Sequence, residues 1–208
     1  MKIFLSVSVR CFNPNSAWNR PMLILLLTLA TGLSGQAQTI SASAQYTDQP
    51  AGGNLFNYTI TLDNSAASTS PIGTFWYAWT PAGDFLPSNP NLVTPPTGWT
   101  DTITHFGAGD GYGIEFVANS PANALAPGHS LDFNFETLDS PAALAGNSPY
   151  YPTTPVGTSV VYGGGPFTAP SDQFVVQPAP EPSVAGLSIL GVSLLMLRRQ
   201  KYLANCGA

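Results

Sequence analysis

Between Pro21 and Leu197 the 208-residue chain has no lysine and no arginine. Its six cations are Lys2, Arg10, Arg20, Arg198, Arg199 and Lys201, all near one end or the other. The eleven Asp and Glu residues fall between Asp48 and Glu181, so a formal net charge of −5 hides an acidic body between two basic ends. A surface without cations cannot neutralise phosphates, which excludes nucleic acid as a partner. It also repels anionic lipid headgroups. Carboxylates in the body have no Lys or Arg to pair with. They must be solvated, hydrogen-bonded to backbone, or held on a metal ion.

Cysteine is nearly absent. Cys11 and Cys206 both lie outside residues 38–177, so that stretch has no disulfide and no thiolate metal site. No cysteine closes the N-terminal apolar run, which argues against a lipoprotein anchor there. Long hydrophobic runs are missing as well, since a membrane span needs roughly 20 apolar residues. Nor does any stretch of the body hold a 3.6-residue apolar stripe over three turns, which excludes long helices.

What is present is turn and alternation. Twenty glycines and twenty prolines punctuate the chain. In "NLFNYTITLD", Phe56, Tyr58, Ile60 and Leu62 alternate with polar residues, and in "GHSLDFNFE" so do Leu131, Phe133 and Phe135. Period two marks a strand with one buried face. Further strands are predicted at Thr39–Tyr46, Gly73–Thr80, Gly98–Phe106, Gly113–Ala118, Gly157–Tyr162 and Gln173–Gln177, eight in all. The fold class is therefore all-β: a single antiparallel β-sandwich, immunoglobulin-like or jelly-roll-like. It is flanked by an N-terminal signal peptide and a C-terminal hydrophobic helix. The Pro-rich stretches 86–99 and 146–157 are expected to be extended connections, and 177–182 a linker.

The basic ends carry topology. The cations up to Arg20 precede the apolar run Met22 to Ala30 and then small residues, the layout of a secretory signal. Gly35 and Ala37 fit the −3 and −1 positions, which places cleavage after Ala37 and bounds a signal peptide at 1–37. A retained N-terminal anchor is the other reading. Export of this kind makes the Sec machinery and signal peptidase partners. At the other end, Pro180-Glu181-Pro182 precedes an apolar run from Val184 to Leu197 and then Arg198, Arg199 and Lys201. As a helix that run rises about 21 Å, against about 30 Å of hydrocarbon. The positive-inside rule puts both basic ends in the cytosol during export and the acidic body outside. Proline stiffens the triplet into an extended peptide.

These three elements in this order resemble the PEP-CTERM sorting tail of bacterial proteins handled by an exosortase. The resemblance covers residues 180–201 and departs from the usual pattern in the trailing "YLANCGA". It implies a tail, 178–208, that anchors the protein transiently in the inner membrane of a Gram-negative-type bacterium. The tail is then cut near the triplet, so that the body reaches the cell surface or an extracellular matrix. A plain single-pass anchor is the other reading. The body, 38–177, shares only a generic likeness with bacterial surface sandwiches.

Within the body, the "FWYAW" run is the densest aromatic patch. On a regular strand Phe75, Tyr77 and Trp79 face one way and Trp76 and Ala78 the other. Trp76, if exposed, offers a flat face for a sugar ring, with Trp99 or Tyr112 as a second platform. Core packing competes with that reading. The glycine-rich "FGAGDGYGIEF" carries Asp110 and Glu115, with Asp101 nearby, as candidate Ca²⁺ ligands. A tight hairpin explains the same glycines. His129, Ser130 and Asp132 have the residue types of a hydrolase triad, yet neighbours on a strand point to opposite faces. The expectation is a non-catalytic structural or adhesive protein of an extracellular matrix, with no required cofactor. The alternatives are a surface glycan-binding module, with or without bound Ca²⁺, that takes extracellular polysaccharide as its partner, and a small hydrolase.

Overall fold

The computed structural model describes residues 37–180. Gly35 and the rest of the expected signal up to residue 36 lie outside the described residues. So does the tail from Glu181 onward, with Pro182, the 184–197 run, Arg198, Arg199 and Lys201. The chain divides between Ala37 and Gln38, and all the strands below belong to the second unit. Among the described residues no helix is long and apolar enough to cross a membrane.

The described residues are all-β. In chain order the strands are β1 (Ala42–Gly52), β2 (Leu55–Asn64), β3 (Thr74–Tyr77), β4 (Trp79–Thr80), β5 (Gly83–Asp84) and β6 (Leu92–Thr94). There follow β7 (Trp99–Thr104), β8 (Gly113–Ala118), β9 (Ser130–Thr137), β10 (Thr158–Tyr162), β11 (Ser171–Val175) and β12 (Gln177–Pro178). The one α-helical turn, α1, spans Pro141–Leu144, and the Ser140 side chain accepts the Ala143 N–H at its start.

Two five-stranded sheets form, in the orders β12-β1-β2-β9-β6 and β11-β10-β3-β8-β7, beside a small β4-β5 ribbon. Every pairing is antiparallel except β12 on β1. The β1–β2 hairpin closes through Gly53 and Asn54, both at positive φ (62° and 68°). That geometry matches the right-handed twist of the strands it joins.

The alternation in β2 and β9 is realised side by side. Tyr58, Ile60 and Leu62 lie opposite Phe135, Phe133 and Leu131. Their shared face meets the other sheet across an aromatic core. Phe133 lies 5.3 Å from Phe75, 4.7 Å from Phe116 and 5.2 Å from Trp99, while Tyr77 meets Phe135 at 5.3 Å. Phe75, Tyr77 and Phe116 are fully buried. The opposite face of β2 and β9 is polar, with Thr59 and Thr61 hydroxyls donating to Asn134 and Asp132.

Each of the eight expected strand positions holds a strand. Three details differ. The Pro-rich 86–99 stretch contains β6, which adds to the β9 edge through Leu92, Val93 and Thr94. Gln177 and Pro178 are an edge strand rather than a linker, pairing parallel with Gln45 and Tyr46. The 73–80 strand is broken at Ala78, whose φ is 54°. That break shapes the candidate site.

Candidate functional site

A regular strand would have put Trp79 on the core side with Phe75 and Tyr77. The left-handed turn at Ala78 reverses the alternation after Tyr77. Ala78 itself then joins the main core, and Trp79 falls in with Trp76, Val160 and Tyr162 in a second cluster. This cluster occupies the face of the β10-β3-β8 sheet that points away from the core. The two indoles are stacked, with centroids 4.2 Å apart and planes at 29°. Phe167 rests on both, at 6.2 Å from Trp76 and 5.7 Å from Trp79, and lies 5.8 Å from Tyr162.

The polar atoms here are unsatisfied. Neither Trp76 Nε1 nor Trp79 Nε1 has a hydrogen-bond partner, and both are buried. Glu115 stands directly across from Trp76 on β8. Its Oε1 is likewise buried and unpartnered, and the loss of water around it raises the carboxyl above its usual range.

The remaining candidates scatter. Trp76 and Trp99, the alternative sugar platforms, are both only 5% exposed, as the competing core-packing reading has it. Trp99 faces the main core, and its Nε1 donates to the Asn123 carbonyl at 3.0 Å. It cannot share a ligand with Trp76, which lies on the opposite face of the same sheet. Tyr112 is half-buried and stacked on His105 at 4.5 Å.

The three candidate calcium ligands, the alternative to a tight hairpin, do not converge. Asp101 is exposed on β7 opposite Phe116, while Glu115 lies opposite Thr102, so the two point to different faces. Asp110 is already satisfied by backbone, its Oδ1 accepting from Asp84 N at 2.9 Å and Gly111 N at 3.0 Å. Among the described residues no three His, Cys, Asp or Glu side chains come together as a metal site. The glycine-rich run is thus a clamp. It fastens the β7–β8 connection to the β5 segment.

Asp84 is the residue that sequence reasoning missed. It is fully buried. Its Oδ1 accepts from Thr104 Oγ1 at 2.9 Å, while Oδ2 has no partner. Burial, opposed by the Thr104 bond, then reinforced by Asp110 and eased by His105, pushes this carboxyl up to about 6. Space for it exists because residues 111 and 113 lack side chains. A Cβ at Gly113 would lie 2.5 Å from Asp84 Oδ1, and one at Gly111 would lie 2.5 Å from the Asp84 carbonyl oxygen and 2.7 Å from that of Leu86.

Gly111→Ala must therefore push two backbone carbonyls aside. We expect it to cost roughly 1–2 kcal/mol, in the range of overpacking, as a lower urea midpoint. Gly109→Ala, where an added Cβ meets nothing within 4 Å, should leave the midpoint unchanged.

The hydrolase residue types are apart in function as well. His129 is exposed and its carbonyl accepts from Asn64 N. The Asp132 carboxylate is engaged with Thr61. Comparison with known proteins finds no matching family model, and neither a curated protein nor a solved structure matches the chain.

Proposed function

We propose that the chain is an exported, non-catalytic structural or adhesive protein of the cell surface or extracellular matrix. Its body is one β-sandwich of immunoglobulin-like or jelly-roll-like type. Its tail is a sorting element processed by an exosortase.

The observation that carries this reading is how close the last described strand lies to the triplet. β12 pairs with β1, and the Ala179 N–H donates to the Tyr46 carbonyl at 2.8 Å. Pro180, which opens the Pro-Glu-Pro triplet, follows at once. Cleavage at or beyond the triplet removes none of the described strands. The body is tied off just before the segment that the tail reading marks for removal. Proline at 178 and 180 also suits a sheet edge, since proline offers no N–H to a passing strand.

The short spacing has a mechanical consequence. An enzyme that grips the triplet in an extended form must work within a few residues of the β1 edge. Unpairing of β12 frees three more residues, Gln177 to Ala179, as a leash.

The test is the mass of the exported protein from hosts with and without an exosortase. The expected result is loss of the chain beyond the triplet in the first host alone. An intact C-terminus in both rejects the sorting reading.

A further inference from the structure

The outward face around Trp76 holds three buried, unpartnered polar atoms in one neighbourhood: two indole N–H donors and one carboxylate oxygen of Glu115. Folded proteins pair nearly all such groups, so a cluster of exceptions calls for a reason. The backbone points to the same place. Among the described residues three other than glycine have positive φ, namely Asn54, Ala78 and Phe167. Asn54 belongs to the β1–β2 turn. Ala78 delivers Trp79 to the cluster, and Phe167 lays its ring on it. Backbone strain of this kind concentrates at ligand clamps.

Phe167 covers the indoles from the turn Gly165–Thr168, which the Thr168 N–H and hydroxyl close by donating to the Gly165 carbonyl. It is 65% exposed despite its contact with both indoles. It follows Gly163, Gly164 and Gly165 in the connection between β10 and β11. The base of that connection is fixed: Thr74 Oγ1 donates to the Gly164 carbonyl at 2.6 Å, and Gly163 N donates to the Pro170 carbonyl at 2.9 Å. The same glycines form one wall of a cavity of about 270 Å³, with Val117 and Ala118 among the residues of the other. That is close to the small end of ligand pockets, about 300 Å³. Val117 follows Glu115 on the same face of β8, so the cavity continues the line of the indoles.

We propose that this face binds a neutral pyranose of a polysaccharide chain, stacked on the Trp76–Trp79 pair, with Glu115 accepting from its hydroxyls. Phe167 holds the place of the sugar when none is bound, and its ring turns aside about its own side-chain bonds when one arrives. The chemical class follows from what is unsatisfied. A pyranose has an apolar C–H face for the indoles. Its hydroxyls both donate and accept, so a ring stacked on one indole face and the next ring of the chain, at the indole edges, can together serve two N–H donors and one carboxylate. A purely apolar partner would leave all three atoms orphaned. A uronate or phosphate would meet Glu115 in a body without a single Lys or Arg to offset the repulsion. The neighbouring cavity gives the next residue of the polymer a place, which favours a chain over a lone monosaccharide.

This site deepens the adhesive reading but does not depend on tail processing. A protein that keeps its tail and still binds glycan overturns the sorting reading alone. A processed protein that binds none overturns this one alone.

The experiment titrates the exported protein with neutral hexasaccharides (β-1,4-glucan, β-1,4-mannan and α-1,6-glucan) and with hexameric uronates. Tryptophan emission and calorimetric heat are read together. At least one neutral oligomer should bind saturably and shift the emission, and the uronates should not. Glu115→Ala should weaken that binding at least tenfold. Trp79→Phe, which removes one N–H and shrinks the platform, should weaken it severalfold. Phe167→Ala, a change at a mostly exposed ring, should leave the fold intact and alter the emission of the unbound protein. Absence of binding to every neutral oligomer overturns the proposal. So does binding that Glu115→Ala and Trp79→Phe leave unchanged, or equal binding of the uronates.

Discussion

Phe133→Ala is expected to cost roughly 3–5 kcal/mol of stability, the usual range for emptying a buried phenylalanine site. Phe133 is fully buried on β9 and touches Phe75, Phe116 and Trp99, all three from the opposite sheet. Each ring pair adds about 0.5–1.5 kcal/mol beyond its buried area. The void left by alanine is walled by large rings, two of them on strands paired on both sides, so it collapses poorly. Against a total stability of about 5–15 kcal/mol for a domain, this one change brings the fold near its threshold. The urea midpoint measures it. Phe106, 75% exposed, is the matched control, and Phe106→Ala should stay within about 0.5 kcal/mol of the parent. A loss at position 133 below about 1 kcal/mol would mean that the sheets do not meet across this ring.

That ring was legible in the sequence, and the reason is instructive. Phe133 and Phe135 alternate with Asp132, Asn134 and Glu136 because β9 has one wet face. The same holds for β2. Where a strand is buried on both faces, alternation carries no information. All four residues of β3 are buried, so "FWYAW" could not reveal which indole lay where. The reversal at Ala78 was further hidden because alanine rarely takes positive φ. Asp84 was invisible for another reason. In "PAGDF" it reads as a turn residue, and its burial depends on glycines 27 and 29 positions further on. β6 and β12 are two or three residues long and sit among prolines. They form because the β9 and β1 edges offer hydrogen bonds, which no local pattern reports.

The absence of cations, the first feature of the sequence, returns as a pH dependence of stability. No Lys or Arg stands in the body to hold a carboxylate in its charged form. The two body carboxylates with shifted values, Asp84 and Glu115, are both shifted upward, chiefly by burial. For Asp84 the folded value is about 6, against 3.8 for an ordinary Asp. The folded state therefore holds this proton more tightly than the unfolded state. The stabilisation is fully present below about pH 4 and is lost as pH rises through about 6. Two units correspond to nearly 3 kcal/mol, and screening by nearby solvent reduces that to about 2 kcal/mol. The melting temperature should thus rise on acidification from pH 7.5 to pH 4.5, opposite to proteins whose carboxylates are paired. Asp84→Asn keeps an acceptor for Thr104 and removes the charge. At pH 7.5 it should raise the melting temperature by about 5–10 °C, the span that about 2 kcal/mol commands in a domain of this size. At pH 4 it should match the parent. A parent protein whose melting temperature is flat or falls toward pH 4.5 would show that the Asp84 carboxyl is not held neutral by burial. An asparagine variant with no gain at pH 7.5 would show the same.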